Sequence, residues 1–342
     1  MPHTTPSAVP PAVPTTALRS LTVSRMGLGC MGMTMAYGRK DPQEGIAAIR
    51  HALDRGVTLL DTADMYANGR NETLVGKAMA GQRDEAVIAS KCGILTAPVL
   101  GLPRGVDGRP EYIRRSAENS LRRLGVETID LYYLHRVDPR VPVEDSVGAL
   151  SELVQRGLVR EIGLSEVSAV QLRAAHQVHP VAAIQMEWSI VSRELESEVL
   201  PVARELGVGI VSYSPLGRGM LTAHAEAFRP GLLDYRRYLP RWSAAHREAN
   251  LELAGRVRQI AERHQATAAQ VALAWLLARG QDVIPIPGTS RPARVEENLG
   301  ALELALDPAD LKVLDGLTAS GPRYRTPGGV ATRSAPADPT AP

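Results

Sequence analysis

Cysteine, phenylalanine, surplus charge and long apolar runs are all scarce in this chain of 342 residues. Cys30 and Cys92 are its only cysteines, too few for a disulfide framework or a cysteine-rich metal site, and they point to a reducing, cytoplasmic compartment. Basic and acidic residues nearly cancel, 39 against 37, and are spread along the chain. Nothing in that balance calls for nucleic acid or a charged membrane surface as partner. No continuous apolar stretch is long enough to span a bilayer, and the start lacks the basic and apolar regions of a signal peptide. No tyrosine has a lysine four residues on, which excludes the one-helix Tyr-x-x-x-Lys arrangement of short-chain dehydrogenases.

What is present is a repeating pattern with 44% hydrophobic residues, enough for a large core. Asp41, Pro42 and Glu44 read as N-cap, first-turn proline and capping-box partner of a helix whose apolar face is Ile46, Ile49, Ala52 and Leu53. Gly56 ends that helix, and a short apolar run follows. The alternation recurs, with helices stopped at Gly125, Gly157 and Gly207 and with Ser168 and Gln171 as another capping box. Eight strand candidates emerge, at 26–29, 57–60, 86–89, 129–134, 161–164, 181–184, 209–211 and 283–286. Such regular alternation predicts an α/β fold with a parallel sheet, and eight units without a break in composition predict one (β/α)8 TIM barrel. The expected domain is 17–319, between disordered, Pro/Ala/Thr-rich tails at 1–16 and 320–342.

Gly27, Gly29 and Gly32 match the dinucleotide fingerprint G-x-G-x-x-G. A Rossmann turn needs its helix to begin within those glycines, whereas the capping signals place the helix start at Asp41. The glycines therefore read as letting the backbone approach a ligand or turn sharply at a barrel mouth.

In a parallel barrel all C-terminal strand ends share one face, so residues distant in sequence converge there. The second strand candidate ends in Asp61, with Tyr66 just beyond; the third ends in Lys91 and the fourth in His135. Ser165 and Glu166 end the fifth, Gln185 the sixth, Tyr213 and Ser214 the seventh. A tyrosine gives up its proton at pH about 10, and a nearby ammonium lowers that value. Lys91 is placed to supply the ammonium, Asp61 to hold it, and His135 to orient a substrate oxygen. Each alone has a structural explanation; four together on one rim point to proton transfer at a carbonyl oxygen.

This set, with its spacing, resembles the catalytic tetrad of the aldo-keto reductases, and the resemblance extends from about Leu21 to Leu317. Tyr213-Ser214-Pro215-Leu216-Gly217 and Ile286-Pro287-Gly288-Thr289 carry it further, as do Gly29-Cys30-Met31-Gly32-Met33 and Gly163-Leu164-Ser165-Glu166. Within the family the chain resembles the branch of plant perakine reductase and its bacterial and fungal relatives. The resemblance implies reduction of an aldehyde or ketone by NADPH, in preference to NADH, with Tyr66 as proton donor. It places Gly32 and Met33 at the cofactor, Ser165 and Gln185 on the nicotinamide carboxamide, and Tyr213 stacked on the ring. Ser214, Leu216, Gly217 and Arg218 would embrace the pyrophosphate. Gly288, Thr289, Arg291, Arg294, Glu297 and Asn298 would hold the adenosine end. Many relatives have Asn where Glu166 stands and Lys where Gly288 stands; Arg291 and Arg294 are then the cations left for the 2′-phosphate. The superfamily also contains cofactor-sensing potassium-channel β subunits, which the intact tetrad does not exclude.

With one Phe, nine Tyr and three Trp, the placement of aromatics is informative. Trp188, Phe228, Tyr235 and Trp242 fall in segments after the sixth and seventh strands, where they either line a pocket for a ring-bearing carbonyl compound or pack the long loop. His176 and His179 have no accompanying carboxylate or cysteine pattern, so no metal is expected.

Overall fold

Short apolar runs, flanked by capped amphipathic helices, assemble into a parallel barrel. In the computed structural model, residues 12–38, 40–97, 102–223, 225, 227–231 and 234–324 are described. A hairpin comes first, β1 (Thr15–Leu18) with β2 (Leu21–Ser24). The barrel strands are β3 (Leu28–Gly29), β4 (Leu59–Asp61), β5 (Val87–Cys92), β8 (Ile129–Leu134), β9 (Val159–Ser165), β10 (Ala183–Glu187), β11 (Gly209–Tyr213) and β12 (Val283–Pro285). They pair in parallel, in the order β12-β11-β10-β9-β8-β5-β4-β3. A second hairpin, β6 (Ile94–Thr96) with β7 (Pro103–Val106), sits on the loop after β5.

The first and last strands meet where the glycine run lies. Gly27 N donates to Pro285 O at 3.0 Å and Gly29 N to Pro287 O at 3.2 Å, and Gly29 bridges Gly288. A Cβ on Gly29 would stand 2.9 Å from Ile286 O, and one on Gly288 3.2 Å from Gly29 O. Gly27 and Gly29 thus let the first and last strands approach closely enough to close the barrel, a role the sequence reading did not assign them.

Helices α1 (Pro42–Asp54), α2 (Arg70–Ala78), α3 (Pro110–Leu124), α4 (Val143–Gln155), α5 (Ala169–Val178) and α6 (Val199–Glu205) wrap the sheet, followed by α7 (Ala244–Arg263), α8 (Ala268–Leu277), α9 (Pro292–Leu299) and α10 (Pro308–Asp315). Asp41 caps α1 by accepting from Gln43 N at 2.8 Å; the expected box with Glu44 gives way to this bond one residue earlier, and Glu44, of like charge to Asp41, is exposed. Ser168 and Gln171 do form the reciprocal box at α5. No helix among the described residues is long and apolar enough to cross a membrane.

Two corrections concern the chain ends. Thr15 and Thr16, assigned by composition to a tail, belong to β1, because Leu18, Leu21 and Val23 of this hairpin insert among Leu59, Ala182 and Val211 inside the barrel. Leu18 presses so closely on β11 that a Cβ at Gly209 would meet its Cδ2 at 2.2 Å. The hairpin closes the end where the strands begin and leaves the opposite rim for chemistry. At the other terminus residues 320–324, expected to be flexible, are held by side chains of α7 and of the rim. Residues 1–11 and 325–342 of the two expected tails lie outside the described residues.

Candidate active site

Burial decides what each rim residue can do. Lys91 is wholly buried, and its ammonium donates to Asp61 Oδ1 and to Thr62 O, each at 2.6 Å. The other Asp61 oxygen accepts from Gln185 Nε2 at 2.7 Å. A buried ion pair survives only when its remaining lone pairs and protons are satisfied, and here they are. Above the pair, Lys91 Nζ stands 3.5 Å from the Tyr66 hydroxyl, and the His135 ring meets the Tyr66 ring edge-on at 5.9 Å. The turn that delivers Tyr66 is stressed: Ala67 and Asn68 both take left-handed backbone conformations, with φ of 51° and 55°.

The electrostatics refine the expectation for Tyr66. Burial pushes its phenol up; Lys91 pulls it down, but Asp61, tied to Lys91, pushes it up again, and the net direction is upward. Lys91 therefore does not bring the free phenol towards neutral pH, and Tyr66 is held in its protonated form. Burial also works against the Lys91 ammonium, yet Asp61 and Tyr66 outweigh it and raise its pKa. Burial, then Lys91 and Arg136, drives His135 well below the usual histidine range, so its ring is neutral, and its Nδ1 is buried without a partner among the described residues.

Across the rim lies a second cluster. Ser165 Oγ accepts from Arg136 Nη1 at 3.2 Å. Tyr213 donates to Glu166 Oε1 at 3.1 Å. Arg218 pairs with Glu187 at 2.8 Å, while Arg323 and Tyr324, beyond α10, reach Glu166 and Glu187. Glu166, Ser214 and Arg218 all have positive φ, so this side of the rim is shaped by three strained non-glycine residues. Beyond β12, Thr289 Oγ1 accepts from Arg291 N at 3.1 Å, and Arg294 is ion-paired with Glu297 in α9. Asn298 is buried on the same helix.

The tetrad residues are thus brought together, as are Ser165, Gln185, Tyr213, Ser214, Leu216, Gly217 and Arg218 on the strand ends nearby. Three assignments change. Gln185 spends its amide donor on Asp61, so it also supports the ion pair. Met33 is 1% exposed beneath α1, which leaves only its backbone for a ligand; the adjacent Gly32 O accepts from Lys40 at 2.7 Å. Trp188 is no pocket residue: it is fully buried, stacks edge-on against Trp275 at 6.3 Å and donates to Glu196 at 2.9 Å. Phe228 and Trp242 pack against one another at 5.2 Å within the long loop, with Arg236 over the Phe228 ring. Tyr235 remains at the mouth, under Arg218. Sequence reasoning missed Arg136, Glu187, Arg323 and Tyr324. The first two stand beside strand-end residues already singled out, and that adjacency was the available signal.

A parallel barrel whose C-terminal rim holds a buried Lys–Asp pair under a protonated tyrosine and a neutral imidazole is built for acid–base chemistry on a small molecule. The profile of the Aldo/keto reductase family matches residues 25–319. "Probable aldo-keto reductase 1" of Glycine max is 46% identical over 295 residues, which cover 85% of this chain and 84% of that protein. The structure of a glycerol dehydrogenase from Gluconobacter oxydans aligns with a TM-score of 0.80 at 30% identity, over 89% of this chain and 93% of that one. That of an aldo/keto reductase from Klebsiella pneumoniae in complex with NADP and acetate aligns with a TM-score of 0.68 at 27% identity, over 87% and 93%. The chain belongs to the Aldo/keto reductase family, a family of oxidoreductases.

Proposed function

We propose that this protein reduces an aldehyde or ketone carbonyl of a small molecule to the alcohol, using NADPH, with Tyr66 as the proton donor. The observation that carries the reading is the Tyr66 hydroxyl 3.5 Å from a buried Lys91 that is itself fixed by Asp61. A bound dihydronicotinamide supplies the hydride. The chain's residues handle the oxygen: Tyr66 O–H and a neutral His135 N–H point a substrate oxygen, and Tyr66 gives its proton as negative charge gathers there. Lys91 then stabilises the phenolate that remains, an interaction worth more in a buried site than in water.

The donor set fits a nicotinamide dinucleotide. Ser165 is a rim hydroxyl for the carboxamide, Tyr213 an aromatic face, and Arg218 with its turn a cation for the pyrophosphate. Arg291 and Arg294, with Gly288, Thr289, Glu297 and Asn298, stand where the adenosine end belongs, and the two guanidiniums favour NADPH over NADH. The NADP complex of the Klebsiella pneumoniae relative supports the cofactor. Within the family we place the chain in the perakine-reductase branch, on the Gly163-Leu164-Ser165-Glu166 segment.

The test is direct. Purified protein should consume NADPH in the presence of an activated aromatic aldehyde such as nitrobenzaldehyde. Folded, cofactor-loaded protein that stays silent across a broad aldehyde and ketone panel would overturn the reading.

A further inference from the structure

Arg218 is the cation proposed for the pyrophosphate, yet its guanidinium is covered. Its side chain is 10% exposed, and the rings of Tyr235 and Tyr324 lie over it at 5.7 and 5.3 Å. Its Nη2 is shared between Glu187 Oε2 at 2.8 Å and the Tyr324 hydroxyl at 2.6 Å. The same hydroxyl lies 3.2 Å from that of Tyr213 and donates to Glu187 at 3.0 Å. One residue earlier, Arg323 donates to Glu166 at 2.8 Å. Residues 323 and 324 have therefore taken hold of several groups that the cofactor reading needs.

The route by which it arrives is specific. Ser320 N donates to Asn250 Oδ1 at 2.8 Å, Ser320 O accepts from Asn250 Nδ2 at 3.0 Å, and the Ser320 hydroxyl meets His246 at 2.9 Å. Arg241 holds Gly321 O at 3.1 Å. Gly321 then turns with φ of 82°, where a Cβ would sit 2.7 Å from the His246 ring, so glycine alone fits. From this peg the next residues run inward to the rim.

We propose that residues 320–324 are an autoinhibitory strap: Tyr324 caps Arg218, and a nicotinamide dinucleotide loads by displacing it. The proposal rests on the reading of Arg218 as a pyrophosphate residue. A phosphate oxygen bonds a guanidinium through charge as well as hydrogen, whereas the Tyr324 phenol is neutral, so the exchange at Arg218 favours the phosphate once the strap opens. Glu166 and Glu187 supply the latch: both carboxylates are nearly buried, and Arg323 lies within 2.8 Å of the first and 3.9 Å of the second. While the strap is closed the protein is not competent to bind, and apparent affinity falls in proportion to the open fraction.

NADPH binding followed by stopped-flow quenching of tryptophan emission tests this in three full-length or near-full-length proteins: the parent, Tyr324→Ala, and a chain ending at Gly321. Both altered proteins should bind NADPH with an association rate and an affinity raised by about fivefold or more, with dissociation unchanged. In the parent, saturating NADPH should speed hydrogen exchange at the Arg323 and Tyr324 amides. Unchanged or slower association in both altered proteins, or slower exchange at those amides, would overturn the strap, because it would then close over the cofactor rather than against it. A parent that binds no NADPH at all would overturn the cofactor reading as well, which the other failures leave standing.

Discussion

The two sides of the rim are built differently. On the side of β4, β5 and β8, Asp61, Lys91 and His135 hang directly from strand ends, and Tyr66 follows by one tight turn. The polar contacts there are few, short and buried: Lys91 is 0% and Asp61 4% exposed in their ion pair. On the side of β9, β10 and β11, guanidiniums and carboxylates interlock through a segment more than 100 residues away, since Tyr324 reaches Glu187 and Arg218 across separations of 137 and 106. The first side is rigid because the barrel makes it so. The second is held by groups that a charged ligand can compete for. The groups proposed for acid–base chemistry thus stand together before any ligand arrives, whereas the surface proposed for the cofactor would be rearranged on the strap reading.

If the fixed side carries the chemistry, removing a single hydroxyl there should be the most damaging change. Tyr66→Phe should lower the reductase rate by about 10²–10⁴, the range for one general acid, and leave NADPH affinity intact. Turnover within a few fold of the parent would mean that another group donates the proton. Lys91→Met comes next. It leaves Asp61 buried without its cation, and the loss of one partner from a buried pair costs about 3–5 kcal/mol, read as a lowered Tm or denaturation midpoint. Adding Asp61→Asn to that variant should recover part of the stability and none of the activity. No recovery would show that Lys91 matters through packing rather than through charge.

The same contrast explains what could be read from the sequence. Strand ends were legible because a parallel barrel fixes where they point: Asp61, Lys91 and His135 follow from periodicity and topology alone. That the Gly27–Gly32 run does not open a dinucleotide-binding helix was legible too, from the Asp41 cap, whereas the part of Gly27 and Gly29 in closing the barrel was not. Trp188 was left open between pocket and packing because a strand-end aromatic faces outward as readily as inward, and its contact with Trp275 on α8 reveals which. The strap was hidden for another reason. Gly321 and Pro322 make a segment look structureless, yet its placement comes from Asn250, Arg241 and Glu166, contacts distant in sequence that no local pattern encodes. The start of the N-terminal hairpin was lost in the same way: Thr15 and Thr16 adjoin a Pro-rich stretch, and only the burial of Leu18, Leu21 and Val23 inside the barrel shows that they form a strand.

Asp64 offers a smaller test that touches the fixed side from behind. It lies between the tetrad residues Asp61 and Tyr66, with one oxygen buried without a partner among the described residues and the other 3.4 Å from the Tyr112 hydroxyl. Burial, reinforced by Glu72 and opposed by Arg123, the Met65 amide and Tyr112, pushes its carboxyl up to about 8. An unfolded Asp titrates near pH ~4, so the folded value is the higher one. The stability from a protonated, buried Asp64 is therefore complete below that pH and is lost as pH rises through about 8. Asp64→Asn cannot ionise, so its Tm should gain on the parent's between those limits, at roughly 1–2 °C per kcal/mol for a chain of this size. Parallel Tm profiles for the two proteins would mean that Asp64 is ionised in the folded state.

The mildest change expected is at the far edge of the exchangeable side, where Arg291 and Arg294 are proposed to meet the 2′-phosphate. Arg294 already pairs with Glu297, and Arg291 is exposed, so a phosphate gains only what it adds beyond those partners. A hydrogen bond to a charged group is worth ~1.5–3 kcal/mol, and ~1.4 kcal/mol is a factor of ten in affinity. Replacing both arginines by Ala should therefore weaken NADPH by at least about tenfold. NADH has no 2′-phosphate to lose, so its dissociation constant should hardly move. The comparison of the two cofactors in the double variant is the measurement, made by fluorescence titration. A fall of similar size for both would place the arginines in general support of the adenosine end. A fall for NADPH alone would make the 2′-phosphate their ligand and separate this edge of the rim, where charge selects the cofactor, from the strand ends that carry Tyr66 and Lys91.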